Sequence, residues 1–314
     1  MQYYTVDPKN SLYQYVSQWC MTVVVVAFWS VALCAQAENI PSDAIEQKCP
    51  DYEAVVRAGT PAQHGSADKQ GSMIQRTDSV EPHVVANKRV DVPKQLKIVG
   101  SAHNFEGVLL YCEYHSVITT QYPAEQKTWW VEYYSIKDQA IIAKKTLVYQ
   151  PFDREGIAPA VEQIDYRSGE LRRSMYVDDS LKFVYRKDRA QALKTQWLAK
   201  SPLLVVDAGF DPFVRSQWSA LVNGQPVFFE FGSIAHLRSL PLRVIRKPLD
   251  ACNTHSEAFM CLHVQASNRF LRWFVGELAL VYDAQRRLKV FQGTVNLQSD
   301  QAKGQKAVIT YVYR

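Results

Sequence analysis

The sequence predicts a mainly β protein: one large curved antiparallel sheet, half-barrel or barrel-like, with a short helix packed on its concave side. Three observations predict it. About a dozen runs rich in Val, Ile, Thr and aromatic residues follow one another, separated by short polar turns. Strand and helix patterns do not alternate, which argues against a parallel, doubly wound sheet. One segment, Asp207–Gly224 (DAGFDPFVRSQWSALVNG), interrupts the strands with a helix pattern. A sheet of so many strands must curl, close or split, and a short helix with one aromatic face needs a sheet to lie on.

The chain begins with a leader. Cys20–Ala35 (CMTVVVVAFWSVALCA) is an apolar run of sixteen residues, short of the about 20 that a membrane-spanning helix needs. It ends at Ala35-Gln36-Ala37, a small-x-small cleavage pattern before Glu38, so residues 1–37 read as a signal peptide and the protein as exported to the periplasm. The stretch before the run fits that pattern poorly, being long and carrying only Lys9 against Asp7; either the start is at Met21 or the leader is an unusual one. An uncleaved N-terminal membrane anchor is the alternative. A lipid-modified Cys34 is a third reading, disfavoured by Leu33 before it.

Residues 38–104 read as short helices and a flexible linker. Ile40–Gly59 holds two helical patterns broken at Pro50, with Asp51 placed to cap the second. Gly59–Pro82 is poor in apolar residues and reads as the linker. Residues 105–314 form the β domain. Its strands are expected at Val108–Thr120, Trp129–Ile136, Ala140–Tyr149, Val161–Tyr166, Leu171–Val177 and Leu181–Tyr185, with hairpin turns at Ser168-Gly169 and Asp178-Asp179. Gln191–Ala199 fits a short helix or a strand equally. In the helix, Asp211 is placed as the cap, Pro212 in the first turn and Gly224 after the last apolar residue. Phe210, Phe213, Val214, Trp218 and Leu221 then share one face. Further strands follow at Val227–Phe231, Leu242–Arg246 and Phe259–Gln265, with one helical turn at Asn268–Phe274. A meander of Glu277–Tyr282, Leu288–Leu297 and Ala307–Tyr313 ends the chain, and Gly293 suggests a bulge or bend in its middle strand.

Composition narrows the function. The net charge is +5, a mild excess with no basic stripe interleaved with aromatics, so no nucleic-acid partner is expected. Six cysteines become four after processing: Cys49, Cys112, Cys252 and Cys261. In an oxidising compartment an even number suggests disulfides. Cys252 and Cys261 are close in sequence and are expected to pair, leaving Cys49–Cys112; free buried thiols are the alternative.

Three stretches are moderately specific: Asp207–Trp218 (DAGFDPFVRSQW), Arg287–Leu297 (RLKVFQGTVNL) and the terminal VITYVYR. They resemble a family of uncharacterised exported, β-rich bacterial envelope proteins with no established activity, over about Phe105 to Arg314. The resemblance transfers no catalytic residue. More loosely, a curved sheet with a helix against it is similar to periplasmic lipid and lipoprotein carriers, an analogy of fold alone.

Chemistry-bearing patterns are sparse. Cys252, His255, Cys261 and His263 have a spacing that suits zinc, but oxidised cysteines cannot ligate, so no metal is expected. His103, His115, His236, Ser101 and Ser116 sit in no nucleophile-elbow pattern. Phosphate-cradling glycine motifs are missing, and no cofactor is expected. Asp178-Asp179 reads as a turn rather than an acidic pair, since neighbours on a strand point to opposite faces. No catalytic residue is assigned. What remains is an apolar pocket lined by Phe210, Phe213, Trp218, Phe229 and Phe231, set against the plainer alternative of a filled core. The function expected is binding of an apolar, lipid-like or amphiphilic ligand by a cell-envelope protein. Two alternatives are an envelope assembly module with a protein partner, working through an edge strand, and a hydrolase whose site the sequence does not reveal.

Overall fold

The structure, a computed structural model, describes residues 48–58, 94–120, 126–149, 156–178, 180–199, 201, 203–252, 258–268, 278–301 and 303–314. The expected signal peptide, the first helical pattern expected after Ile40, the linker expected over 59–82, His255 and the helical turn expected over 269–274 lie outside the described residues. Among them no helix is long and apolar enough to cross a membrane.

In chain order come α1 (Tyr52–Ala58), then β1 (Gln95–His103), β2 (Leu109–Thr120), β3 (Gln126–Ser135), β4 (Ile141–Tyr149), β5 (Ala160–Asp165), β6 (Leu171–Val177), β7 (Ser180–Arg186), β8 (Lys194–Ala199) and β9 (Leu204–Val206). A 3-10 turn (Asp207–Gly209) leads into α2 (Phe210–Ser216) and α3 (Trp218–Val222). Then follow β10 (Val227–Ser233), β11 (Arg238–Lys247), β12 (Met260–Ala266), β13 (Leu278–Tyr282), β14 (Leu288–Gln298) and β15 (Gly304–Tyr313). Among the described residues these strands make one 15-stranded sheet, in the order β8-β7-β6-β5-β4-β3-β2-β1-β15-β14-β13-β12-β11-β10-β9. Each pairing is antiparallel except β9 with β10.

That order has a simple meaning. The first and last strands are neighbours at the centre of the sheet, with Ile98 opposite Tyr313. From there the chain steps outward to β8, crosses residues 200–203, and steps inward again from β9. The two edge strands are therefore joined by a link that spans at most about 18 Å. Laid flat, β7 and β10 would lie twelve strand spacings apart, about 58 Å. Instead they touch: a Cβ on Gly232 of β10 would sit 2.8 Å from Phe183 Cζ of β7. The sheet is open in its hydrogen bonds and curled until its edges are near neighbours.

The helix pair fills the inside of the curl. Phe213, Val214, Trp218 and Leu221 are buried in one cluster with Leu147 and Val161 from one arm of the sheet and Val244, Leu262 and Leu280 from the other. Contact with both arms places α2 and α3 on the concave side. The inner face continues past them into a second cluster of Ala102, Tyr111, Val131, Tyr133, Ala143, Leu297, Ala307 and Ile309. Strand alternation sends Cys112 and Tyr114 to the opposite face. There they bury Val55 of α1, and the Cys49–Cys112 disulfide pins that helix. The second disulfide is Cys252–Cys261; both pairs are those expected.

Several local expectations need correction. Asp211 does not cap the helix. Gly209 stands at the N-cap without a side-chain bond, while Asp211 pairs with Arg215 at 2.7 Å and accepts from the Tyr282 hydroxyl at 3.2 Å. The helix is broken at Gln217, giving two short pieces. Gln191–Ala199 resolves into the strand β8. The sheet begins at Gln95 rather than after Phe105, because β1 belongs to it, and β9 is a further strand that the pattern did not show. Gly293 is no bulge: Gln292, Gly293 and Thr294 keep register with Val308, Ala307 and Lys306, and the irregularity follows between Thr294 and Gln298. The glycine is needed because the Leu278 side chain passes 2.3 Å from where its Cβ would be.

Candidate functional site

The aromatic residues expected to line a pocket do gather around the helix pair. Phe213, Trp218 and Phe229 are buried, and Phe210 and Phe231 are half-buried against the same cluster. Phe210, Phe213 and Phe229 form a trio with centroids 4.9 to 6.3 Å apart. Trp218 lies away from them, edge-on to Tyr282 at 5.8 Å and stacked on Phe259 at 6.0 Å.

Directly beside this apolar group, on the same inner face, runs a polar seam. It begins in β4, where period-two alternation puts Lys145 inward between Ala143 and Leu147. Lys145 Nζ donates to Asp207 Oδ1 at 2.7 Å, and both side chains are less than a tenth exposed. Asp207 is the hinge between β9 and the helix pair. Its φ is 46°, a left-handed conformation that Asp tolerates better than most residues because its carboxylate can bond the next backbone N–H. Here Oδ1 accepts from Ala208 N–H at 2.8 Å, while Oδ2 accepts from Asn296 Nδ2 of β14 at 3.0 Å.

Strand register extends the row. Lys145 stands opposite Gln163 of β5, Gln163 opposite Arg172 of β6, and Arg172 opposite Tyr185 of β7. Gln163 Nε2 donates to the Asn296 carbonyl at 3.1 Å. Arg172 reaches Asn296 Oδ1 at 2.9 Å with one nitrogen and Glu170 Oε1 with two others, and the Tyr185 hydroxyl donates to that same oxygen. At the β5–β6 turn, Arg167 binds Asp165, the Gln298 carbonyl and Asp300. The hairpin of β5 and β6 is thus clamped to the far end of β14, across the inside of the curl.

Among the described residues, three oxygens in this clamp accept no hydrogen bond: Gln163 Oε1, Glu170 Oε2 and Gln298 Oε1. Their residues are 1%, 2% and 7% exposed. A buried acceptor left unsatisfied costs about 1 to 3 kcal/mol. Such groups are rare in natural cores.

The remaining histidines divide. Ser233 Oγ lies 2.8 Å from His236 Nδ1 in the β10–β11 turn, close enough to the seam for Arg172 to act on the ring. Partial burial, with the positive charges of Arg238 and Arg172, holds that imidazole below its ordinary value. His115 pairs with Glu113 at 3.0 Å beside Tyr311. Burial pushes the Tyr111 and Tyr133 hydroxyls well above the ordinary phenol value, and the Glu113 carboxylate adds to it. His103 closes β1, Ser101 contacts the Cys49 sulfur, and Ser116 is buried in β2. Cys252, Cys261 and His263 have ligand atoms within 4.8 Å of one another, but the two sulfurs are bonded together. Sequence reasoning named His236 without a role and Asp207 only as the start of the helix segment, and it missed Lys145, Gln163, Glu170, Arg172 and Asn296. All but Glu170, which just precedes β6, occupy ordinary strand positions, and only long-range pairing unites them.

No family model, no curated protein and no solved structure matches the chain.

Proposed function

We propose that this is an exported cell-envelope protein that holds an amphiphilic, lipid-like ligand within its curved sheet, without catalysing a reaction on it. One observation carries the proposal. The inner face places the Phe210, Phe213 and Phe229 trio and the Lys145–Asp207–Arg172 seam side by side, meeting at Asp207, so apolar and polar surfaces adjoin as an amphiphile requires. Two disulfides support an oxidising compartment, as the export signal and the resemblance to exported bacterial proteins do. Ionised groups in the seam are paired with one another, which favours binding over acid–base work. The experiment is native mass spectrometry with organic extraction of protein purified from an envelope fraction. Recovery of a bound amphiphile, lost when Phe210 and Phe231 are both changed to Asp, is the expected result. Protein that stays ligand-free and takes up no added phospholipid or detergent overturns it.

A second reading has its own observation. Edge strand β8 is exposed along nearly its whole length, with Trp197 49% exposed. An envelope protein partner adding a strand there fits that edge. Pull-down with Trp197→Lys as the control tests it, and an unchanged set of partners rules it out.

A further inference from the structure

We infer that the strand that adds to edge β8 belongs to an extended, acidic segment of a partner protein. This deepens the edge-strand reading above and rests on it; it is independent of the amphiphile.

The two edges of the sheet differ. β9 is three residues long and buried, and its Val206 N–H already donates to the Ile157 carbonyl at 2.9 Å. β8 runs six residues, five of them exposed, and among the described residues it pairs only with β7. An edge strand leaves a row of N–H and C=O groups that a further strand can take up. β8 is the edge left open to one.

Charge then selects the strand. The outermost hairpin, residues 180–199, carries Lys182, Arg186, Lys187, Arg189 and Lys194 against Asp188 alone, in a chain whose net charge is only +5. Among the described residues none of these five cations makes an ion pair. Arg186 donates to the Gly169 carbonyl, and Arg189 to the carbonyls of Tyr166 and Arg167. Lys182, directly across from Trp197, holds its ammonium 5.3 Å from the centre of that ring. Asp188 is turned into the end of the hairpin, where its oxygens accept from Ala190 N–H and the Gln191 amide. On an added strand, an acidic side chain opposite Trp197 comes beside Lys182, and one opposite Lys194 meets that ammonium. Opposite charges facing each other across strands stabilise the pairing.

The same cations exclude two other occupants. Two copies joined β8 to β8 would press both sets of like charges together. A bilayer would need the Trp197 ring free to enter it, but an ammonium covers that ring, and lipid offers no strand to the open backbone.

The test is fluorescence anisotropy of labelled peptides titrated with the full chain. The peptides alternate valine and threonine over about ten residues and carry three glutamates, three glutamines or three lysines at the same places. A fourth keeps the glutamates but is N-methylated throughout, so it has the charge without the N–H donors. The glutamate peptide is expected to bind at least about tenfold tighter than the other three, and to weaken about tenfold between about 50 and about 500 mM salt. Its binding is expected to slow amide exchange in β8. Lys182→Glu combined with Lys194→Glu is expected to turn the preference toward the lysine peptide. Glutamate and glutamine peptides that protect β8 equally overturn the inference and leave the edge reading standing. Peptides that all fail to protect β8 overturn both. An N-methylated peptide that binds as tightly as its parent, or phosphatidylglycerol vesicles that displace the glutamate peptide, show charge acting without a strand and overturn the inference. The peptide comparison uses the natural chain, so it stands even where the double variant fails to fold.

Discussion

Lys145 and Asp207 are the residues whose loss should be felt most. Removing one partner of a buried ion pair strands the other charge and costs about 3 to 5 kcal/mol. Asp207→Ala is therefore expected to lower unfolding free energy by that amount in urea titrations, and it also removes the carboxylate that closes the φ 46° turn. Asp207→Asn should cost less, since an amide oxygen can still accept from Ala208. A loss below about 1 kcal/mol for Asp207→Ala would contradict the geometry. A second residue sets a pH dependence. Burial works against ionisation of Glu132. The Tyr52 hydrogen bond at 2.7 Å and the Lys94 and Lys144 ammonium groups more than offset it, leaving the carboxyl below its ordinary value. A depressed carboxylate stabilises the fold above its unfolded value and loses that contribution as pH falls through the folded one. Tyr52 lies on α1, so acid should loosen α1 first. Hydrogen exchange of α1 measured between about pH 6 and pH 3 should rise relative to β12, and Glu132→Gln should flatten that difference.

At the scale of elements, the seat of the helix pair depends on Gly209. A Cβ there would lie 2.1 Å from the Ile157 carbonyl oxygen and 2.8 Å from Pro159 Cδ, and a backbone atom cannot step aside cheaply. Gly209→Ala is expected to cost about 3 kcal/mol. Gly304→Ala, with nothing within 4 Å of its Cβ, should change stability by less than about 0.5 kcal/mol. Equal melting temperatures for the two variants would show that α2 does not sit against residues 157–159. The helix itself was legible from Pro212, Gly224 and the spacing of Phe213, Val214, Trp218 and Leu221. Its break at Gln217 was not, because no Gly or Pro marks it. β1 was hidden by Gly100, which lowers strand propensity; its Cβ would meet Tyr311 Cε1 at 3.0 Å and Glu113 Oε2 at 3.1 Å, so the residue that hides the strand is also what lets two side chains cross it. β8 stayed ambiguous for another reason. Its burial pattern has no inward face, so no alternation was written into it.

At the scale of the molecule, stability should be graded from the central strands to the edges. Among the described residues β1 and β15 are paired on both sides, whereas β8 has a partner only in β7 and is almost wholly exposed. Amides of β8 are expected to exchange at least about a hundredfold faster than those of β1 and β15 in native-state hydrogen exchange. Uniform protection across the sheet would mean that its edges are sealed by more than the Phe183–Gly232 contact. The curved antiparallel architecture could be read from strand runs and short turns, because each hairpin is local. The polar seam could not, since Lys145, Gln163, Arg172 and Asn296 meet only once the sheet has curled. Hairpins can form as soon as their residues exist, but β1 must wait for β15, whose residues are made after those of the other fourteen strands described. An early stop codon that removes residues 304–314 therefore does not trim a border. It opens the molecule along its midline, leaving two bare rims, on β1 and β14, facing each other across the width of one missing strand.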